Sequence, residues 1–348
     1  MMTRARLAIA ILYDTWDDGI EEPTAPEMPP PPGARRPEPA PPPKLDRVEI
    51  FEALAELGHR PSYLEVDGTD ASLLAVARCK ADLIFNLTES YAGDDTKDMH
   101  VAAYLELLGK PYTGADPHGL YLAQDKSLAK KLFAFHGVRT PAFAVAEGGE
   151  IEAARRLGFP LIVKPIAEDG SIGIEAESVV RSVAELKRRI RRVHDEFDTP
   201  ALIERYVDGR EIYAAILGGA APEALPLVEM DLSGLPRGMP RIASGKVKWA
   251  KGTRIYRSVR SRVVEDLEPA LVKKIQALAV AAYRAVKLRD YGRIDIRLTG
   301  RGEAWVIEAN PNPWLSSGAE FAMAARASGR THTELLRDIV ALAMARCA

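Results

Sequence analysis

The apolar residues change period along the chain, and each change marks an element. RLAIAILY at 6–13 is a short continuous apolar run, the pattern of a strand buried on both faces. VEIFEALAELGH, after Leu45, has helical spacing and stops at Gly58. YLEV at 63–66 and ADLIFNL at 81–87 read as strands, with helical spacing at 70–78 between them, and a helix over 98–108 ends at Gly109. This strand–helix alternation with short connections predicts a parallel α/β first domain over residues 1–115. A helix then runs from Lys126 to His136, and another occupies about 150–157. FPLIVKP at 159–165 is a strand, and Ser182-x-x-Glu185 is a capping box opening a helix to about 196. ALIERYV at 201–207, REIYAAILGG at 210–219 and LPLVEMDL at 225–232 follow one another without helices, an antiparallel pattern. Segment 233–262 reads as irregular and basic. A long amphipathic helix over 266–286 and helices over 318–328 and 333–346 complete the chain. The expected division is a central α+β unit over 116–205 and a C-terminal α+β unit over 206–348.

Between the last three helices lies RDYGRIDIRLTGRGEAWVIEANPNPWLSSG, residues 289–318. Arg293, Asp295 and Arg297 alternate with Ile294, Ile296 and Leu298, the period of a half-buried strand. Glycines mark a turn, and residues 304–308 run back. With Arg301-Gly302 as a two-residue loop, Asp295 lies opposite Glu308 and Arg293 opposite Asn310. Opposed carboxylates disfavour a sheet. Two bare charges about 5 Å apart at an effective dielectric of about 20 repel by about 3 kcal/mol. A divalent cation removes the conflict, and Asp, Glu and Asn offer the oxygen ligands that Mg²⁺ takes alongside phosphates. The alternative is an exposed face whose acids pair with arginines.

Composition narrows the classes. The 348 residues suit two or three domains. A net charge of −2 gives no reason to expect nucleic acid or an anionic membrane as partner. No apolar run reaches the length of a membrane span. Cys79 and Cys347 sit in no metal or redox spacing, which points to a reducing, cytoplasmic setting. The run from Glu21 to Lys44 is dominated by proline and cannot form helix or sheet. It reads as a surface loop or as a lid or partner-docking segment.

Several polar clusters are candidates for chemistry. TESYAGDD follows the third strand, where open parallel sheets bind ligands, so Glu89, Asp94 and Asp95 are candidate contacts to an amine or part of a solvated loop. EDGSIGIE follows Lys164 near a strand end. Its glycines allow backbone N–H groups to converge on an anion, with the Ser171 hydroxyl beside them. Lys246, Lys248, Lys251 and Arg254 surround Trp249 in a basic loop that could close over phosphates or be solvated surface. His59, His118 and His136 read as surface or structural residues.

These motifs, in this order, resemble the ATP-grasp superfamily and within it the D-alanine–D-alanine ligase-like carboxylate–amine ligases. GRIDIR…VIEANPNP is similar to the family's metal-binding hairpin. ELLGKPYTG with QDKSLAKKLF resembles its entry to the central domain, and ERYVDGRE its nucleotide hinge. The resemblance covers about 80–348 and implies an N-terminal parallel α/β domain followed by two α+β subdomains that clamp ATP. It implies that Asp295, Glu308 and Asn310 hold two Mg²⁺ ions, or Mn²⁺ in their place, and that Lys126 and Lys164 contact phosphates. The turn of Gly170, Ser171, Ile172 and Gly173 would cover the β and γ phosphates. Glu204, Arg205, Tyr206 and Val207 would read adenine, largely through backbone atoms, and Glu211 would bind ribose. Lys248 would close on the γ phosphate, and Arg293 would hold the acyl phosphate and the oxyanion that follows. The implied reaction is ATP + R-COOH + R′-NH₂ → ADP + phosphate + amide on small-molecule substrates, a peptide-bond-forming chemistry. A dimer through the N-terminal domain is implied as well.

The chain also departs from the family pattern. YDTWDDGIEE and the proline-rich run stand where a glycine-rich turn with a substrate-binding glutamate is expected, and NLTESYAGDD replaces an HG-containing turn. SSGAEF replaces an SHSL segment that receives a carboxylate, and Trp249 takes the place of the closing-loop tyrosine. The glycine loop is about one residue shorter. Trp314, Ser317, Gly318 and Glu320 are therefore candidates for this chain's own substrate contacts, with Glu320 suited to a cationic group. The expectation is an amino acid or small peptide-like acid other than a pair of D-alanines. A genuine D-alanine–D-alanine ligase and a non-catalytic ATP-binding regulatory module remain the alternatives.

Overall fold

The computed structural model describes residues 6–14, 45–148, 151–168, 170–219, 221–250 and 252–347. The proline-rich run 21–44 and Lys251 lie outside them. Three sheets organise the chain. The first contains β1 (Ala8–Asp14), β2 (Arg60–Val66) and β3 (Leu83–Asn86) in the order β2-β1-β3, all parallel, as expected. Helices α1 (Asp46–Glu56), α2 (Asp70–Arg78) and α3 (Asp98–Leu107) make its connections and flank. Two helices follow, α4 (Pro117–Gln124) and α5 (Lys126–Phe135). The pattern reading had only the second of them, although Asp116 and Pro117 are ordinary helix-start residues and the Asp116 carboxylate accepts from the N–H of Gly119.

The central sheet comprises β4 (Phe143–Ala146), β5 (Leu161–Pro165), β6 (Val179–Val180) and β7 (Ala201–Arg205) in the antiparallel order β4-β7-β5-β6. A short helix, α6 (Glu152–Arg155), lies between β4 and β5, and α7 (Val183–Phe197) covers the sheet. Ser182 caps α7 by accepting from the N–H of Glu185. Glu185 reaches back to the N–H of Arg181, one residue outside the expected box. This unit has its own core, built from Leu161, Val163, Leu186, Ile190, Val193 and Ile203.

The third sheet is antiparallel, in the order β11-β10-β8-β12-β13 with β9 on β8. Its strands are β8 (Arg210–Leu217), β9 (Glu223–Ala224), β10 (Val228–Asp231), β11 (Arg260–Val263), β12 (Tyr291–Leu298) and β13 (Ala304–Asn310). The stretch expected to be irregular holds β11 and two short helices, α8 (Gly245–Trp249) and α9 (Arg254–Arg257). The helices α10 (Pro269–Ala285), α11 (Glu320–Ala327) and α12 (His332–Cys347) cover both faces of the sheet. Side chains alternate along each strand. Ile212, Ala214, Ile294 and Ile296 pack with α10 and with Leu120, Ala129 and Phe133 of α4 and α5. Tyr213, Ala215, Met230 and Tyr291 pack on the other side with α11, α12 and residues of β1 and α1. Residues 117–135, expected within the central unit, therefore pack in the core shared by the N-terminal and C-terminal sheets.

Candidate active site

Alternation places Arg293, Asp295 and Arg297 of β12 on one face, with Tyr213 opposite Asp295 and Glu211 opposite Arg297 on β8. The hairpin pairs Asp295 with Glu308 and Arg293 with Asn310, as the sequence suggested, but by another route. Leu298 pairs with Ala304, so the loop spans five residues, Thr299 to Glu303, and the register shifts between Asp295 and Ile296. Ile307 is the extra residue. Such a bulge moves every later side chain to the opposite face. Val306 points into the core, and Glu308 and Asn310 join Asp295 on the polar face.

The opposed carboxylates are resolved unequally. Arg293 grips Asp295 with two hydrogen bonds, Nε to Oδ1 at 2.7 Å and Nη2 to Oδ2 at 2.9 Å, and stacks over the Tyr213 ring at 4.7 Å. Burial still pushes the Asp295 carboxyl above its ordinary range, against the pull of Arg293. Burial acts on Glu308 in the same direction, but the ammonium groups of Lys126, Lys164 and Lys248 outweigh it and hold that carboxylate low. The arginine pairing left open by the sequence thus exists, on a buried face rather than an exposed one.

Facing the hairpin is an open cleft between the central and C-terminal sheets. Lys164, Ser171, residues 204–207, Glu211, Lys248, Arg297 and Glu308 line it. Arg297 donates to Glu211 at 2.6 Å and to the carbonyl of Val207 at 3.2 Å. Its remaining nitrogen, Nη2, is buried with no hydrogen-bond partner among the described residues. The glycine turn at its mouth has left-handed backbone at Gly170 (φ +60°), Ser171 (φ +67°) and Gly173 (φ +67°). A Cβ at Gly173 would come within 2.6 Å of Pro165 and 2.9 Å of Phe197, so glycine is required there. Ile172 is exposed. Lys126 is buried and donates to the carbonyl of Glu168 at 2.6 Å, just before this turn.

Beneath the cleft the Glu204 side chain is wholly buried between two lysines, Lys164 at 2.6 Å and Lys130 at 2.9 Å. Burial alone would raise Glu204, yet the two ammonium groups hold it below its ordinary value. Lys130 was not picked out by the sequence reading, because a lysine at helical spacing resembles any solvated lysine.

A second set of contacts closes the site from the substrate side. The Trp249 indole donates to the carbonyl of Gly170 at 2.6 Å, joining the basic loop to the glycine turn. The Trp249 and Trp314 rings meet edge to face at 5.4 Å. Trp314 donates to Glu89 at 2.8 Å. Glu89 is placed by Asp14 at the end of β1, whose carboxylate accepts from the N–H groups of Glu89 and Ser90. Ser317 is engaged through both its N–H and its hydroxyl by Glu49 of α1, at 2.6 and 2.9 Å. Glu49 had no local signal, since its partner lies 268 residues away.

Other expected site residues have partners within the chain. Asp94 accepts from the N–H and hydroxyl of Thr96 and pairs with Lys97 at 3.1 Å, so it caps its own loop. Neither Asp94 nor Asp95 lines the clefts around Lys164 or Trp314. Glu320, expected to suit a cationic group, is half-buried at the start of α11. It accepts from the Ser261 hydroxyl at 2.9 Å, and its charge acts on Arg293. Gly318 stays in the loop between Ser317 and α11.

A cleft between two antiparallel sheets, lined by lysines and facing a carboxylate hairpin, is the arrangement of the ATP-grasp class of enzyme. A D-alanine–D-alanine ligase from Bacillus anthracis, solved with ATP, superposes at a TM-score of 0.70 over 98% of both chains with 20% identity. The VanG D-Ala:D-Ser ligase from Enterococcus faecalis gives 0.71 over 97% of this chain and 100% of that one, with 18% identity. The family profile described as D-ala D-ala ligase C-terminus matches residues 132–341. The D-alanine–D-alanine ligase of Bordetella petrii is 33% identical over 277 residues, 79% of each chain. The uncharacterized protein y4sG of Sinorhizobium fredii is 32% identical over 304 residues, 85% of this chain and 87% of that one. The chain belongs to the D-alanine–D-alanine ligase family. It is an ATP-dependent carboxylate–amine ligase that uses ATP and Mg²⁺.

Proposed function

We propose that the enzyme joins an amino-acid or dipeptide-like carboxylate to an amine, and that its substrates are not two D-alanines. The observation that carries this reading is the occupation of the substrate end by the chain's own groups. Ser317 gives both its donors to Glu49, and Trp314 gives its indole N–H to Glu89. A carboxylate arriving there meets two acids and two tryptophan rings instead of hydroxyl donors.

The donor set fits the nucleotide and the metal. Asp295, Glu308 and Asn310 are all oxygen donors on one face, and Asn310 turns its amide nitrogen to the Arg293 carbonyl, which leaves its oxygen as the ligand. The buried, unpartnered Nη2 of Arg297 supplies a donor on the cleft wall beside Glu211, the ribose-binding candidate. Mg²⁺ neutralises phosphate charge when bound and keeps both opposed carboxylates ionised. Lys126 and Lys164 bind phosphate from the floor of the cleft, and Lys248 approaches from the loop above. Backbone N–H groups of 170–173 cradle the phosphate end. Residues 204–207 hold the base through backbone atoms, the Glu204 side chain being committed to lysines.

A free carboxylate is a poor acylating agent, and its phosphorylation creates a leaving group that an amine can displace. Arg293 stays charged at any working pH and offers its planar fork to the acyl phosphate and the oxyanion. Asp295, which the guanidinium holds here, would be left as an oxygen ligand for Mg²⁺. Trp249 on Gly170 excludes water while the acyl phosphate waits. Placement in the cytoplasm, where ATP is made, goes with this reading.

The named ligase relatives favour one other reading, a genuine D-alanine–D-alanine ligase. Phosphate release from ATP, measured across a panel of amino acids, dipeptides and amines that includes D-alanine, separates the two. The expected result is release with an acid–amine pair and little with D-alanine alone. Efficient formation of D-alanyl-D-alanine would remove the specificity claim, and no release with any pair would favour a nucleotide-binding module.

A further inference from the structure

Lys130 is the most deeply placed cation in the described structure, fully buried in the interior between the central sheet and the hairpin. Its ammonium lies 2.9 Å from Glu204 Oε2 and donates to the Thr140 hydroxyl at 2.9 Å. Thr140 in turn donates to the carbonyl of Val306 at 2.8 Å, and the N–H of Val306 donates to the carbonyl of Arg139. Val306 is the residue before the bulge at Ile307, and the bulge puts Glu308 on the face of Asp295. At the other end, Glu204 Oε1 holds the Lys164 ammonium at 2.6 Å in the cleft wall. The polar line Lys164–Glu204–Lys130–Thr140–Val306 therefore runs under the cleft and joins the central sheet to the hairpin.

We propose that Lys130 is a positioning residue for the ligase reaction. Through Glu204 it aims the phosphate-binding Lys164, and through Thr140 it fixes the bulge that presents Glu308 to the metal. The proposal rests on the assignment of Lys164 to phosphate and of Asp295 and Glu308 to Mg²⁺. A buried ion pair is a poor way to gain stability, since two desolvated charges about break even with a hydrophobic pair. Two lysines on one buried carboxylate serve geometry better: each Glu204 oxygen has one cation, and neither ammonium can swing without stranding the other charge. The groups that face Lys130 are Glu204 from β7, Lys164 from β5, Thr140 from the segment before β4 and, at longer range, Glu308 from β13.

The test compares Lys130→Met, Thr140→Val, Glu204→Gln and Lys164→Met in the full-length enzyme. The readouts are Mg·ATP binding, followed by intrinsic tryptophan fluorescence, and the separate KM and kcat values. Lys130→Met is expected to weaken Mg·ATP binding about tenfold and to leave the KM of the amine unchanged, a split that a merely structural role would not produce. The double variant Lys130→Met/Glu204→Gln is expected to be no worse than Glu204→Gln alone, because the two act as one unit. Thr140→Val, which removes only a hydroxyl and serves if Lys130→Met fails to fold, is expected to raise the Mg²⁺ requirement about threefold with nucleotide affinity in saturating Mg²⁺ retained. Impaired binding in Lys164→Met with normal binding in Lys130→Met, or full additivity in the double variant, overturns the role of Lys130 alone. Normal binding in Lys164→Met overturns the phosphate assignment and the positioning role together.

Discussion

The nucleotide cleft and the substrate end are held by different kinds of contact. In the cleft, the main residues are cross-strand neighbours. Arg297 faces Glu211 and Asp295 faces Glu308 by sheet register, and Glu204 of β7 lies between Lys164 of β5 and Lys130 of α5. At the substrate end, Glu89 and Trp314 come from loops, Trp249 from the end of the short helix α8, and Glu49 reaches Ser317 from the other end of the chain. A register is shared by every residue of a strand, so its chemistry changes only with the whole sheet. A loop contact changes with one residue. This is why the chain can keep the phosphate and metal chemistry of its family and present a different wall to its substrate.

The comparison can be broken most severely at the hairpin. Asp295→Ala or Glu308→Ala is expected to lower turnover by about a thousandfold or more, the loss of several kcal/mol of metal-borne stabilisation, with the circular dichroism spectrum unchanged. Near-normal phosphate release from either variant would take the hairpin out of the mechanism. Arg293→Met should come next, with kcat down by about a hundredfold and Mg·ATP binding little affected, as for loss of one oxyanion donor.

Smaller effects are expected from pH. Burial pushes the Lys130 ammonium down to about 8 from the 10.5 of a free lysine, with Glu204 opposing the shift and Lys164 adding to it. Above that pH Glu204 keeps one cation, so Mg·ATP affinity should fall by about fivefold across the transition. Stability moves the other way. Between 8 and 10.5 the unfolded chain holds a proton that the folded one has released, so this group's contribution to stability rises with pH in that window. A KM for ATP that is flat to the upper end of the window would contradict the assignment. The smallest effects belong to the substrate end. Trp314→Phe loses its indole donor to Glu89 and should change the KM of the acid or amine by about threefold, with the ATP KM unchanged. A change confined to ATP would place Trp314 in the nucleotide half.

How much of this was legible follows the same division. The hairpin pairing could be read because alternation and turn residues are local. Even there the pairing of Asp295 with Glu308 comes from a five-residue loop and a bulge rather than the two-residue loop that alternation suggested. Lys164 and the glycine turn were readable as a strand followed by glycines. Lys130 was not, since nothing local distinguishes a buried lysine whose partner is 74 residues away from a solvated one. Helix α4 was missed because it is only eight residues long with a weakly periodic apolar face. At the substrate end, the sequence marked Trp314 and Ser317 as departures but could not supply Glu49 or Asp14. Asp94 could not be read from composition, because an acid after a strand end looks the same whether it binds a ligand or caps its own turn, and here it accepts from Thr96.

The central claim is that a retained phosphate and metal half serves a remade substrate end. Hydroxylamine trapping tests it most directly, because hydroxylamine replaces the amine and leaves only the acid to be varied. With ATP, Mg²⁺ and hydroxylamine, hydroxamate should form from an amino-acid or dipeptide carboxylate at least about tenfold faster than from D-alanine, the discrimination expected of a pocket with altered contacts. D-alanine as the best acid, with D-alanyl-D-alanine made when hydroxylamine is omitted, would contradict the account.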